Sequence, residues 1–201
     1  MEKNIAILIM AAGRSSRMQG IKQLLPWRDS NLLLHAIATA KTSNATGVYI
    51  VLGANAEKIA QRCKLEKFGV QTIKNIEWKN GLGSSIALGT DHITQQSVIY
   101  DGILVMLADQ PLLTSNYYDQ MIAKFRSGKF KIIATKYNDR AGVPAIFHSS
   151  LFPQLKNLSG DTGAKGILRQ HYDVMHSIDA GDMNQDIDTK ETYSKLYKKY
   201  N

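Results

Sequence analysis

Ile5-Ala6-Ile7-Leu8-Ile9-Met10-Ala11-Ala12-Gly13-Arg14-Ser15-Ser16-Arg17-Met18 begins as an unbroken apolar run and ends as a loop of small and basic residues. A run with no polar face predicts a strand covered on both sides, as at the centre of a parallel sheet. A second run of this kind, Gly102-Ile103-Leu104-Val105-Met106-Leu107-Ala108, ends on Asp109-Gln110-Pro111. Outward from these two, the pattern predicts further strands over 48–52, 70–73, 132–135, 144–147 and 174–178. Helices are expected over 32–41, 56–64, 84–94, 116–126, 163–170 and 189–200. Strands alternating with helices imply βαβ units, hence an α/β fold with a mainly parallel twisted sheet and helices on both faces. No repeat, low-complexity tract or proline-rich linker interrupts the pattern, so residues 1–201 read as a single domain.

Composition narrows the class. Hydrophobic residues make up 44% and charged residues 21%, which suits a globular chain and argues against disorder. The longest apolar run, 5–12, is too short to span a bilayer and has no cleavage pattern behind it. Cys63 is the single cysteine, so neither a disulfide nor a cysteine-rich metal site is available, and a cytoplasmic protein is expected. Net charge is +8, which favours anionic partners. The densest basic stretch, Lys190 to Lys199, also carries Tyr193, Leu196 and Tyr197. It reads as a terminal helix with a solvated face, not as a nucleic-acid surface.

In open α/β sheets, ligands bind beyond the carboxyl ends of the strands, so the loops after the two apolar runs come first. Ala11, Ala12 and Gly13 let the backbone approach a ligand, and free amides through Arg14 and Ser15 can cradle anionic oxygens. Arg17 can fork two phosphate oxygens, and Lys22 adds a compact charge. The loop is neither a Walker A sequence nor a dinucleotide fingerprint. Asp109 stands where a carboxylate can hold Mg²⁺ against phosphates. The plainer alternative, a cap for the helix near 114–115, suits Thr114 or Ser115 better. Asp186-Ile187-Asp188-Thr189 precedes the last helix and reads equally as an ordinary helix start. Trp78-Lys79-Asn80-Gly81-Leu82-Gly83-Ser84-Ser85 offers close backbone approach at Gly81 and Gly83. Ser84 and Ser85 could cap the helix or touch a nucleotide, and Trp78 is the more natural packing residue. The five histidines show no metal or triad spacing, and Cys63 reads as a packed thiol.

The order Ala11-Ala12-Gly13-x-Ser15-x-Arg17-Met18, Lys22-Gln23-Leu24-Leu25-Pro26 and Leu107-Ala108-Asp109-Gln110-Pro111 resembles the MobA-like nucleotidyltransferases. Within them it is most similar to the molybdenum cofactor cytidylyltransferases. Gln19 replaces the glycine usual after the Arg-Met pair. The resemblance implies a Rossmann-like nucleotidyltransferase fold. It implies transfer of CMP from CTP to the phosphate of molybdopterin, with loss of pyrophosphate, and possible delivery to a molybdoenzyme. Arg17 and Lys22 would neutralise the triphosphate, and Asp109 would bind Mg²⁺ together with Asp188, Asp186 being the second candidate. The segment from Gly81 to Ser85 would contact the nucleotide. Gly142, Pro144, Gly160, Asp161 and Lys165 would form the acceptor side, although the family often has a polar residue at Val143 and arginine at Lys165. Ala12, where guanylyl-transferring relatives carry a glycine, favours CTP over GTP. Left open are another nucleotide or a sugar or isoprenoid-precursor phosphate as acceptor, an oxidoreductase role, and cofactor delivery without turnover.

Overall fold

The computed structural model describes residues 2–18, 20–138 and 140–200; Gln19 and its departure from the family pattern lie outside them. Seven strands form one sheet: β1 (Ile5–Ala11), β4 (Gly47–Leu52), β5 (Gln71–Lys74), β6 (Gly102–Leu107), β7 (Ile132–Tyr137), β8 (Arg140–His148) and β9 (Met175–Asp179). Their order across the sheet is β5-β4-β1-β6-β8-β7-β9. Every pairing is parallel except those of β8, which runs antiparallel to β6 and β7. The expected mainly parallel α/β sheet is what the chain forms.

The two apolar runs lie side by side, Ile5↔Gly102 through Met10↔Leu107. Alternate side chains of a strand point to opposite faces, and β1 is buried on both. Ile5, Ile7, Ile9 and Ala11 pack with α1 (Leu32–Thr42), α2 (Ala56–Cys63) and α4 (Ser115–Arg126). Ala6, Leu8 and Met10 pack with α3 (Gly81–Thr94), α5 (Phe152–Lys156) and α6 (Lys165–Gln170). A small third cluster joins α7 (Lys190–Tyr200), through Leu196, to Met18, Trp27, Leu32, Leu112 and Ile187. Cys63 is buried as a packing thiol in the main core, on its α2 side.

Four features depart from the sequence reading. A two-strand hairpin, β2 (Pro26–Trp27) with β3 (Ser30–Asn31), and the short α5 were not expected. The strand at 144–147 extends back to Arg140, because Tyr137↔Arg140 closes a hairpin with β7. The third helix starts at Gly81, earlier than 84, so neither Ser84 nor Ser85 caps it. Ser84 Oγ instead donates back to the Gly81 carbonyl at 2.8 Å. The expected cap at Thr114 is present, its side chain accepting from the Tyr117 amide.

The turn after β4 constrains how the β1 loop can sit. A Cβ on Gly53 would fall 2.5 Å from the Trp78 Cβ and 2.7 Å from the Ala12 carbonyl oxygen, whereas one on Gly13 would meet nothing within 4 Å. Overpacking against backbone costs about 1–3 kcal/mol. Gly53→Ala should therefore lose that much stability in urea unfolding, while Gly13→Ala stays close to wild type.

Candidate active site

The loop after β1 is held by a residue whose role the sequence did not reveal. Gln23 is 5% exposed, and its Nε2 donates to the carbonyls of Ala11 (2.8 Å) and Gly13 (3.3 Å). The Ala12 carbonyl accepts from the Ala54 amide. Three successive loop carbonyls are thus engaged with protein donors and cannot turn toward an anion. Ser15, at φ 59°, donates from Oγ to Gln23 Oε1 and accepts there from the Lys22 amide. A left-handed serine costs conformational energy; both bonds of its hydroxyl hold it there and set the start of the Lys22 segment.

Lys22 Nζ lies 2.5 Å from Asp109 Oδ2 and 3.1 Å from Asp188 Oδ1, with its side chain 16% exposed. Arg17 reaches the other oxygen of Asp188 at 3.1 Å from a largely exposed position. Two remote segments are brought together by one backbone bond, from the Ile187 amide to the Asp109 carbonyl at 2.9 Å. Ile187 is fully buried, and its neighbours point apart: Asp188 toward Lys22 and Arg17, Asp186 toward Gln110. Thr189 caps α7 by accepting from the Thr192 amide, so Asp188 is free for the ion cluster.

The electrostatics follow from these contacts. Burial alone would lower the Lys22 pKa, but the charges and hydrogen bonds of Asp109 and Asp188 outweigh it and raise it. Burial would raise Asp188, yet Lys22 and then Arg17 hold it below its usual value. Asp186 behaves oppositely: burial first, and next the charge of Asp109, push it up. Its Oδ1 accepts from Gln110 Nε2 at 2.7 Å, and the same nitrogen donates to Tyr137 Oη at 2.7 Å. Asp109 Oδ1 is buried and without a hydrogen-bond partner. An uncompensated carboxylate oxygen is costly unless a cation or donor joins it. A hard divalent cation, taking one or two carboxylates plus substrate and water, suits this donor set. Among the described residues no group of three or more His, Cys, Asp or Glu side chains forms a self-sufficient metal cage.

Two cavities flank the loop. One, about 220 Å³, is lined by Gly13, Ser15, Arg17, Lys22, Asp109 and Asp188 among others. The second, about 400 Å³, is lined by Ala12, Arg14, Trp78, Gly81, Ser85 and Asp161 among others; Gly13 and Asp109 belong to both. Of the expected nucleotide contacts, Ala11, Ala12, Gly13, Arg14, Ser15, Gly81 and Ser85 therefore line this pair of cavities. Ser84 lines neither. The glycines at 81 and 83 serve close packing within the protein. A Cβ on either would strike the backbone at Gly160 or Ser159, within 2.3–2.6 Å. Gly83 also donates to the Gly160 carbonyl, and Gly160 to that of Asn80. Asp161 is thereby carried to the cavity rim.

The other expected acceptor-side residues stay apart from these cavities. Gly142 packs beneath the Tyr137 ring, and the Pro144 carbonyl accepts from Thr135 Oγ1 inside the sheet. Lys165 lines a separate hollow of about 260 Å³ with Arg140, Arg169 and Tyr172. Histidines play structural parts where they are partnered, as in His35 Nε2 with the Pro111 carbonyl at 3.0 Å.

Comparison with known proteins bears on this arrangement. A model of the MobA-like NTP transferase domain matches residues 7–174. Nicotine blue oxidoreductase of Paenarthrobacter nicotinovorans is 32% identical over 198 residues, covering 94% of each chain. Purine catabolism protein PucB of Bacillus subtilis strain 168 is 29% identical over the same shares. The crystal structure of Rv0371c from Mycobacterium tuberculosis H37Rv superposes with a TM-score of 0.81 at 25% identity, covering 98% of this chain and 99% of that one. A manganese complex of the same protein gives 0.79. The matched residues include the loop, Lys22 and Asp109, while β9 and Asp188 lie beyond them, and the chain belongs to the MobA-like NTP transferase family.

Proposed function

We propose that this protein is a divalent-metal-dependent nucleotidyltransferase that moves CMP from CTP to the phosphate of a pterin-type acceptor, molybdopterin or the molybdenum cofactor, and releases pyrophosphate. The observation that carries this reading is the seat of Lys22 between Asp109 and Asp188, beside a small-residue loop at the carboxyl ends of β1 and β6. Asp109 and Asp188 would hold Mg²⁺, and the unpartnered Asp109 oxygen and the manganese complex of Rv0371c support a divalent ion. When bound, the ion supplies positive charge against phosphate oxygens.

The chain's own groups do the rest by position and charge. Arg17 and Lys22 meet the triphosphate, and the loop held by Gln23 fixes its path. A phosphate oxygen of the acceptor attacks the α-phosphorus of CTP, the bond to the β-phosphate bridge breaks, and pyrophosphate leaves. A phosphate monoester, with a second pKa near 6, is already largely ionised, so no strong general base is required. That agrees with histidines engaged in structure. The methyl of Ala12 at the wall of the larger cavity supports the smaller pyrimidine, although one methyl discriminates by only about 1–3 kcal/mol. A cytoplasmic location and a molybdoenzyme recipient fit this reading. The 32% identity to a nicotine blue oxidoreductase favours one second reading, an oxidoreductase role.

Pyrophosphate release should be measured across CTP, GTP, ATP and UTP with Mg²⁺ and molybdopterin, beside direct titration of NAD(P)H. Turnover with CTP is expected; tight nicotinamide binding with no CTP binding would favour the second reading. Asp109→Ala should lower turnover at least about 100-fold, as losses of electrostatic stabilisation do, and undiminished activity would remove the metal assignment. Gln23→Ala gives up two bonds to loop carbonyls, worth about 0.5–1.5 kcal/mol each. Its KM for CTP should rise about tenfold with kcat changed far less. Asp186→Asn separates the two carboxylates. Because the folded protein holds the Asp186 proton more tightly than the unfolded chain does, wild type loses stability as pH rises from about 4 through the raised pKa. The asparagine variant should therefore melt higher than wild type near pH 7, with the gap closing in acid, and keep its turnover. A loss of turnover matching Asp109→Ala would make Asp186 the second metal ligand.

A further inference from the structure

The ammonium of Lys22 sits where two carboxylates converge, 2.5 Å from one and 3.1 Å from the other. These are the two groups assigned above to the metal, so the inference rests on that reading. A divalent ion needs their oxygens at about 2.0–2.1 Å and without a competing cation between them. A unit positive charge at hydrogen-bond distance opposes a second cation strongly in a partly buried setting. Among the described residues the ammonium of Lys22 has two acceptors, Asp109 and Asp188, and its side chain is mostly buried. Among the described residues the exposed Arg17 pairs with Asp188 alone, so it neutralises one oxygen without occupying the gap.

We infer that Lys22 acts as an internal counter-ion that closes the metal seat in the nucleotide-free protein, so that the divalent ion enters together with the nucleotide. Arrival of the triphosphate gives the ammonium new oxygen partners. Its flexible four-carbon stem and three rotatable donors let it exchange a carboxylate for a phosphate without moving the backbone. The exchange frees Asp109 and Asp188 for the ion as the ion's other ligands, the phosphate oxygens, come into place. Lys22 is then a binding-order residue as well as a phosphate ligand. The device also prevents the carboxylate pair from trapping stray divalent ions in an empty site.

The test is Mn²⁺ binding to the full-length, nucleotide-free protein, read as loss of the free hexaaqua Mn²⁺ signal in electron paramagnetic resonance. Lys22→Met, which keeps the length and removes the charge, should take up one equivalent at least about tenfold more tightly than wild type. Lys22→Arg should bind as weakly as wild type, and Arg17→Met should tighten binding by no more than about threefold. Lys22→Gln carries the same expectation as Lys22→Met and serves if the methionine variant does not fold, as judged by circular dichroism. Equal affinity in wild type and the folded neutral variants overturns the inference. So does a gain in Arg17→Met as large as in Lys22→Met, because the effect would then be general charge and not occupancy of the seat. If wild type turns over CTP with a divalent ion while the neutral variants show no gain, the counter-ion role alone falls. If no nucleotide is turned over and no variant binds Mn²⁺, the metal-dependent transferase reading falls with it.

Discussion

One ammonium ion between two carboxylates ties together parts of the chain that are far apart in sequence. Lys22 belongs to the segment after β1, Asp109 to the turn after β6, and Asp188 to the run into α7. None of these contacts could form unless β1 and β6 were neighbours in register, which their shared apolar character secures. Partly buried ion pairs are costly to desolvate and add little stability on their own. The fold therefore places this cluster; the cluster does not hold the fold. What it does constrain is the site, since moving any one member leaves a charge half-buried and unpaired.

The alternation around Ile187 shows how such placement is achieved cheaply. A fully buried isoleucine and one backbone bond to Asp109 fix a short segment. Extended backbone sends successive side chains to opposite sides. Two aspartates two positions apart, with a residue between them, would share a side in a regular strand. Here they part: Asp188 joins the cations, while Asp186 accepts from Gln110, whose amide also donates to Tyr137. Identical side chains acquire opposite proton affinities from these surroundings.

The legibility of the chain followed the range of the interactions. β1 and β6 were readable because burial on both faces removes every polar residue from a strand. The helices of ten or more residues were readable through their periodicity, and Thr114 through its capping chemistry. The β2–β3 hairpin and α5 are too short to leave a periodic trace. Lys22 and Asp109 stood out as charges beside apolar runs. Gln23 did not, because a glutamine next to a lysine looks like surface, and only the fold reveals that its amide is buried against two carbonyls. Gly81 and Gly83 were visible as glycines, but their partner, the backbone at 159–160, lies nearly eighty positions away. The closeness of a remote backbone has no local signature.

The charge balance of the site also explains how a strongly basic chain can hold a carboxylate pair in its ligand cavity. The surplus of +8 belongs to the whole molecule, and it draws anions toward the surface over a screened range. Within the smaller cavity, Arg17 and Lys22 face Asp109 and Asp188, two charges against two. A bare polyphosphate entering there would meet no net attraction, and its oxygens would lie beside two carboxylates. A polyphosphate accompanied by a divalent ion meets complementary groups on both counts: oxygens for the cations of the loop, and a cation for the carboxylates. Global charge thus favours encounter with anions of many kinds, while the local pairing selects those that bring a metal with them. That division between attraction and selection is built from four side chains and the loop that Gln23 holds in place.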